Sequence, residues 1–126
     1  MKTLGLIIAA MIIIAACKKD SKSPGGGDEI TYEASLSSGT FSNIVYLDEN
    51  GDQQNGVPGT DSWKITFINK IGRPRRLEFI VSPYYDLNDP NAEIPDTFVS
   101  ISVNGSEVKN DTYHATENVD FRYDLY

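Results

Sequence analysis

The chain has 126 residues, and its 18 acidic against 11 basic side chains give a formal net charge of −7 at pH 7. This length corresponds to one small domain. The acidic balance argues against a nucleic-acid-binding protein, which needs a basic patch or stripe. Cys17 is the single cysteine, so no disulfide can form within the chain, and the fold must rely on apolar packing and backbone hydrogen bonds.

The chain opens with an apolar run, residues 4–16, which follows Lys2 and ends in Ala15 and Ala16. A basic start, an apolar middle of about 7–15 residues and small residues before the cut are typical of a secretory signal peptide. A membrane-spanning helix needs about 18 apolar residues or more, and this run is shorter. We therefore predict a cleaved signal peptide over residues 1–16. An uncleaved membrane helix and a plain secretory signal are the alternatives.

Residues 14–17, Ile-Ala-Ala-Cys, resemble the lipobox of bacterial lipoproteins. The resemblance implies that the Cys17 thiol receives a diacylglyceryl group, that the peptide before it is removed and that the new amine is acylated. Two or more acyl chains anchor a protein stably to a bilayer, so we expect Cys17 to hold the protein on a membrane. Residues 18–20, Lys-Lys-Asp, resemble the pattern after the acylated cysteine in surface-exported lipoproteins of Bacteroidota. The expected location is the outer membrane, on either its periplasmic or its surface face.

Residues 17–28 are rich in lysine, serine, proline and glycine. These residue types cannot bury enough apolar area to fold, so we predict a flexible tether. A random coil of this length reaches about 20 Å. The domain predicted over residues 29–126 would then sit close to the membrane without entering it.

From residue 29 to residue 126, apolar and polar side chains alternate, and β-branched and aromatic residues dominate, which is typical of β-strands. Asn50-Gly51 and Asn104-Gly105 are two-residue turn signals. Short strands between regular turn signals indicate an antiparallel sandwich or a small barrel. We predict an all-β, antiparallel, immunoglobulin-like β-sandwich of about seven strands. The predicted strands are residues 30–36, 41–47, 61–69, 75–82 and 119–125, with a hairpin over residues 98–110 and a further short strand at 112–116.

The same pattern makes two predictions about packing. Trp63 is expected to be the central core residue, because its indole can bury a large area. In the hairpin, a two-residue turn at Asn104-Gly105 sets Val103 opposite Ser106 and Ile101 opposite Val108, which keeps the apolar side chains on one face.

Several of these features occur together: Tyr32 in the first strand, residues 45–48 before Asn50-Gly51, a strand with Trp63, and residues 99–106 before Val108. In this combination residues 30–126 are similar to the MmpS-type accessory proteins of mycobacterial lipid transporters, and to small lipoproteins of Bacteroidota that share that sandwich. The resemblance implies a non-enzymatic partner of a membrane transporter. This chain carries a lipid-anchor signal where the MmpS-type proteins have a spanning helix.

The longest irregular segment is predicted over residues 83–96, where three prolines exclude a central strand. Loops of this length are often functional. Tyr84 and Tyr85, beside Asp86, could stack on a sugar ring or anchor an interface, and we name these three residues as the candidate ligand-binding set. Alternatively, the two tyrosines simply cover the end of the sandwich.

Two acidic stretches, the turn beginning at Asp48 and the loop at 86–96, present oxygen atoms that could hold calcium. In an EF-hand loop starting at Asp48, the required glycine and glutamate would fall on Gln53 and Gly59. We therefore predict an ordinary turn there and a solvated loop at 86–96. His114 is the only histidine, and a zinc site would need further histidine or cysteine ligands. We predict no metal and no cofactor.

Lys70, Arg73, Arg75 and Arg76 form a basic cluster. It could meet phosphate head groups or an acidic partner, or it could be a solvated turn. Elsewhere the sequence has no nucleophile motif, paired-carboxylate signature or phosphate-binding glycine loop, so we predict no enzymatic activity.

Together these features predict a lipid-anchored lipoprotein of the cell envelope that acts as a non-enzymatic accessory or interaction module, with an envelope transporter among its candidate partners. The alternative is a surface-exposed module that binds a glycan or another small ligand. The predicted partners are the membrane, through the lipid anchor, and an envelope protein, whereas nucleic acid is not expected.

Overall fold

The computed structural model describes residues 27–114 and 116–126. The predicted signal peptide, Cys17 and all but the last two residues of the predicted tether lie outside these residues. The described chain forms eight strands: β1 Glu29–Leu36, β2 Phe41–Leu47, β3 Gln53–Asn55, β4 Ser62–Ile68, β5 Arg75–Pro83, β6 Asp96–Val103, β7 Ser106–His114 and β8 Val119–Leu125. Over this part of the chain, no helix is long and apolar enough to span a membrane.

The strands form two four-stranded sheets, sheet one with the order β4-β1-β6-β7 and sheet two with the order β3-β2-β5-β8. Every pairing is antiparallel, so the predicted all-β antiparallel sandwich is confirmed. The count is eight strands rather than about seven. The additional strand, β3, lies inside the segment predicted as a turn and pairs with Val45–Leu47.

The core lies between the sheets, where each central strand turns every second side chain inward. On β1, Tyr32 is fully buried, and its ring centroid lies 5.3 Å from that of Phe67 and 5.2 Å from that of Phe79. The expectation that Trp63 is the central core residue is wrong, because β4 is an edge strand and leaves the indole partly exposed. The central aromatic residue is Tyr32, on a strand paired on both sides.

The β6–β7 hairpin confirms the predicted turn and corrects the predicted register. Asn104 and Gly105 have φ values of 51° and 77°, as a type I′ turn requires. Val103 pairs with Ser106 as predicted, but Ile101 pairs with Lys109 rather than with Val108. A β-bulge leaves Val108 unpaired, so the register slips by one residue beyond it. The segment predicted as a separate strand at 112–116 continues β7 as far as His114.

The sandwich has two ends, which we call the proximal and distal poles. The proximal pole contains Asp28, where the described chain leads into β1, together with Asn69 and the β6–β7 turn. The distal pole contains the loops at 37–40, 56–61, 84–95 and 116–118. Since a strand rises about 3.3 Å per residue, the eight residues of β1 separate the poles by about 25 Å.

Candidate functional site

The loop at 84–95 joins β5 of sheet two to β6 of sheet one across the distal pole. Both of its ends are held by the β1–β2 turn. The Tyr84 amide donates to the Thr40 carbonyl over 2.8 Å. At the other end, the Asp96 amide donates to the Ser37 hydroxyl over 2.8 Å, and the Ser37 amide donates to the Asp96 carbonyl over 2.9 Å. Pro95 is fully buried beside this junction.

Two aspartates organise the interior of the loop. Asp86 Oδ1 accepts a hydrogen bond from the Asn88 amide, and Asp89 Oδ1 accepts one from the Asn91 amide, each over 2.9 Å. These are Asx turns, in which a short carboxylate takes the place of a backbone acceptor. The Asp89 and Ala92 amides close the same turns on backbone carbonyls. Asp86 and Asp89 are therefore turn-forming residues.

Neither acidic stretch brings together a ligand set for calcium. Within residues 27–114 and 116–126, no group of three or more histidine, cysteine, aspartate or glutamate side chains could hold a metal ion. Asp48 is buried and accepts hydrogen bonds from the Asn50 and Asp52 amides and from the Gln54 side chain, over 2.8–3.0 Å. Burial raises the pKa of Asp48, but these hydrogen bonds outweigh it and hold the pKa below its usual value. Residues 48–52 form a turn between β2 and β3, as predicted.

The three candidate residues line one pocket. Tyr84 is 59% exposed, whereas Tyr85 is half-buried and donates its hydroxyl to the Ala92 carbonyl over 3.3 Å. The cavity has a volume of about 340 Å³ and includes Tyr84, Tyr85 and Asp86 in its lining. Its other wall contains Ser38 and Gly39, from the β1–β2 turn. These two residues belong to a distant part of the sequence, and no local pattern indicated their contribution.

The same loop exposes three large apolar side chains, which we call the distal apolar set. Tyr84 is 59% exposed, Leu87 is 84% exposed and Ile94 is 41% exposed. Val57, on the neighbouring loop at 56–61, is also largely exposed. Exposed apolar groups gathered in one region are typical of interaction surfaces. Here they stand on a loop whose backbone is held by hydrogen bonds at both ends and in its interior.

The basic cluster is engaged within the molecule. Arg75 is buried and donates to Asn69 Oδ1 and to the Asp48 carbonyl, both over 2.9 Å. Its guanidinium lies 5.9 Å from the centroid of the Phe67 ring. The other three cations form surface ion pairs: Lys70 with Glu49 at 3.1 Å, Arg73 with Asp28 at 2.8 Å and Arg76 with Asp124 at 3.3 Å. The cluster is therefore a structural feature of the proximal pole.

His114 lies at the exposed end of β7, and its Nδ1 atom is 2.7 Å from Asp96 Oδ1 on the paired strand. Its place on a strand agrees with the sequence-based interpretation. The pair joins the first residue of β6 to the last residue of β7.

Phe98 is a residue of interest that the sequence reasoning missed. It lies on the outer face of sheet one and is 44% exposed. A signal was present, because Phe98 is out of phase with the inward Val99, Ile101 and Val103 and in phase with Ser100. Alternation alone therefore places an aromatic ring on a face that is mostly polar.

No model of a known protein family matches the chain, and no curated protein matches it at a significant level of similarity. The resemblance to MmpS-type proteins and to Bacteroidota lipoproteins therefore stays a prediction that depends on turns and core positions. The described chain is an eight-stranded antiparallel β-sandwich, and the loop at one end exposes apolar side chains while hydrogen bonds hold its backbone.

Proposed function

We propose that the protein is a lipid-anchored lipoprotein of the cell envelope, and that its β-sandwich is a non-enzymatic interaction module. The observation that carries this proposal is the arrangement of the two poles. The chain leads into β1 at the proximal pole, and the distal apolar set lies at the opposite end. A lipid on Cys17 would therefore hold the proximal pole toward the membrane and direct the loop at 84–95 away from it.

The distances suit such a display. A tether over residues 17–28 reaches about 20 Å, and the strands add about 25 Å to the distal pole. Residues 29–126 hold 16 acidic and 7 basic side chains, and this acidic excess opposes adsorption of the domain on anionic lipid head groups. The sandwich would then stand off the bilayer with its distal loops accessible to another envelope protein, and a transporter is the candidate that the MmpS-type resemblance suggests.

The chemistry of the distal loop suits a protein partner. Tyrosine is enriched among the residues that dominate binding energy at interfaces, and Tyr84 is exposed on the same loop as Leu87 and Ile94. The Asx turns at Asp86 and Asp89 hold the loop in one conformation before binding. A pre-ordered loop loses less conformational entropy when a partner docks, so more of the contact energy contributes to affinity.

The anchor is tested by replacing Cys17 with serine in the full chain. Cells are fed an alkyne-bearing fatty acid, and the membrane and soluble fractions are compared. The wild type should incorporate the label and pellet with membranes, and Cys17→Ser should lose both properties. Ser21→Ala, in the same tether, serves as the matched control and should behave as the wild type. Equal membrane association of Cys17→Ser and wild type would contradict the anchor.

The interaction role is tested by site-specific crosslinking in cells. A photoreactive amino acid replaces Leu87 at the distal pole or, as the matched control, exposed Lys64 on the edge strand β4. The position at 87 should yield a discrete crosslinked envelope protein, and Tyr84→Ala should reduce the yield. The interaction proposal fails if the two positions yield the same products.

A second candidate function is the binding of a glycan or another small ligand in the pocket of Tyr84, Tyr85 and Asp86. The observation that favours it is the cavity of about 340 Å³, which falls within the range of small-molecule sites. This candidate predicts that the full chain binds an oligosaccharide. Binding should be lost when Tyr84→Ala and Tyr85→Ala are combined, and it should persist in Leu87→Ala. If the double variant still binds the sugar, the pocket is not the binding site.

A further inference from the structure

The two central strands of sheet one, β1 and β6, carry small hydroxyl side chains on their outer face. The register places Ser35 beside Phe98 on β6, with Thr112 on the other side of Phe98. The next row places Ser100 between Glu33 and Asn110. Small side chains in the middle of the sheet and longer ones beside them leave a trough of about 350 Å³. Its lining includes Glu33, Ser35, Phe98, Ser100, Glu107 and Asn110.

The two carboxylates of this trough, Glu33 and Glu107, each have a polar neighbour within the molecule. The Asn110 side-chain amide donates a hydrogen bond to Glu107 Oε1. On the other side, Lys64 Nζ lies 3.8 Å from Glu33 Oε2. Glu107 is therefore held by a hydrogen bond and Glu33 has a cation nearby, and each carboxylate retains acceptor capacity for a further group. The serine hydroxyls can both donate and accept.

Phe98 adds an apolar surface to this polar setting. The ring is 44% exposed, so burial in the core does not account for its place on the outer face. Its cross-strand neighbours on both sides are the short side chains of Ser35 and Thr112. A molecule resting on these residues would contact the exposed part of the ring.

From this juxtaposition we propose that the trough binds a neutral oligosaccharide. One sugar ring lies against Phe98, and its hydroxyl groups exchange hydrogen bonds with Ser100, Asn110 and the two carboxylates. A sugar is apolar on its ring faces and carries donor–acceptor hydroxyls at its edge, which matches an aromatic platform surrounded by serine, asparagine and glutamate.

Charge and backbone pairing favour this ligand over others. Glu33 and Glu107 oppose anionic glycans and nucleic acid. A peptide could not add as a strand at the floor of the trough, because β1 and β6 are each paired on both sides. A cationic group could also reach the two carboxylates, where it would compete with Lys64 for Glu33, so oligolysine is included among the probes below. A sugar hydroxyl can use the acceptor positions that the internal contacts of Glu33 and Glu107 leave open.

This inference goes beyond the proposed interaction role, because it concerns the face of sheet one and does not depend on the distal loop.

The full chain, purified in a detergent without a sugar head group, is applied to an array of neutral α- and β-linked glucans, mannans, xylans and galactans, with oligogalacturonate and oligolysine as charged probes. The best neutral ligand is then titrated calorimetrically.

A neutral oligosaccharide should bind, and Phe98→Ala should weaken the affinity by about tenfold or more, whereas Phe98→Tyr should keep it. Glu107→Gln should also weaken binding, because it removes the charged acceptor. Thr66→Ala, on edge strand β4 of the same face, is the matched control and should have no effect. Thermal unfolding of each variant confirms that the fold is intact.

Three results would overturn the proposal. The first is the absence of binding to every neutral sugar, and the second is binding of oligolysine or oligogalacturonate alone. The third is a sugar affinity that survives Phe98→Ala and is lost in Tyr84→Ala combined with Tyr85→Ala. That last result would assign the ligand to the distal pocket instead.

Discussion

Replacement of Tyr32 should destabilise this protein more than replacement of any other aromatic residue in its core. The ring is fully buried in the middle of β1 and contacts four other aromatic rings, at centroid distances of 5.2–6.5 Å. Its hydroxyl accepts a hydrogen bond from the Glu78 amide over 3.3 Å. Glu78 precedes Phe79, whose pairing with Tyr46 is the last of the β2–β5 register. The Tyr32 hydroxyl thus gives this amide an acceptor just beyond the end of that ladder.

The magnitude can be worked out from these contacts. Truncation of a large buried aromatic side chain to alanine costs about 3–5 kcal/mol, and loss of the acceptor of the part-buried Glu78 amide adds about 1 kcal/mol, the low end of the range for an unsatisfied amide. Tyr32→Ala should therefore lower the free energy of unfolding by about 4–6 kcal/mol, close to the whole stability of a small domain. Tyr32→Phe retains the ring contacts and should lower it by about 1–2 kcal/mol.

The comparison is with Trp63→Ala, because Trp63 is partly exposed on edge strand β4. That substitution should cost about 1–2 kcal/mol less than Tyr32→Ala. Urea unfolding is followed by far-ultraviolet circular dichroism, since Trp63 is the only tryptophan and its fluorescence is lost in the comparison variant. If Trp63→Ala proves the more destabilising of the two, the placement of Tyr32 at the centre of the core is refuted.

Three further predictions concern pH and a turn. Burial raises the pKa of Tyr32 to about 12, against about 10 in the unfolded chain. The contribution of the protonated phenol to stability is therefore complete below pH 10 and is lost as the pH rises toward 12. The wild type should lose more stability than Tyr32→Phe over this interval. Equal losses in urea titrations would contradict this. The pKa of Asp48 is lowered, so its contribution to stability is complete above about pH 4 and is lost as the pH falls through the folded-state pKa. Asp48→Asn should therefore reduce the loss of stability at acid pH. An unchanged loss would speak against the hydrogen-bonded carboxylate. Gly105 has a φ of 77° and open space around it. Gly105→Ala should therefore lower the free energy of unfolding by about 1–2 kcal/mol through backbone strain alone, while Ser106→Ala should change it by no more than about 0.5 kcal/mol. Equal stabilities of the two variants in chemical denaturation would rule out the strain.

Local patterns were sufficient for most strands and for the hairpin turn. The bounds of β2 and β8 agree with prediction to the residue, because polar residues precede both strands and Asp48 follows β2. β3 was missed because Gln53–Asn55 has no apolar residue. It is a strand only because its backbone pairs with Val45–Leu47, and that pairing leaves no trace in the side-chain pattern.

The arrangement of the strands was beyond sequence reasoning, and two errors follow from this. Whether Trp63 or Tyr32 is central depends on which strand lies inside the sheet, and the order β4-β1-β6-β7 is set by long-range pairing. The register beyond Val108 was wrong because the turn determines only the first pairs of a hairpin. A bulge at the edge of the sheet changes the register without altering the turn.

The candidate pocket was predictable in part. Tyr84, Tyr85 and Asp86 are consecutive, so their proximity was certain, and the proline-rich composition indicated a loop. The wall formed by Ser38 and Gly39 comes from another turn, so its place in the pocket could be known only from the three-dimensional structure. The trough around Phe98 combines residues of β1, β6 and β7, so only the out-of-phase phenylalanine could have been noticed beforehand.

The side chain of Arg73 donates both to the carboxylate of Asp28 and to the carbonyl of Tyr126, each over 2.8 Å. These two residues, far apart in the chain, are thus held side by side at the proximal pole. A fluorescent or affinity label attached after residue 126 would consequently emerge next to the tether. It would leave the far loops and the face with Phe98 uncovered, which makes that position suitable for imaging and capture experiments on the working protein.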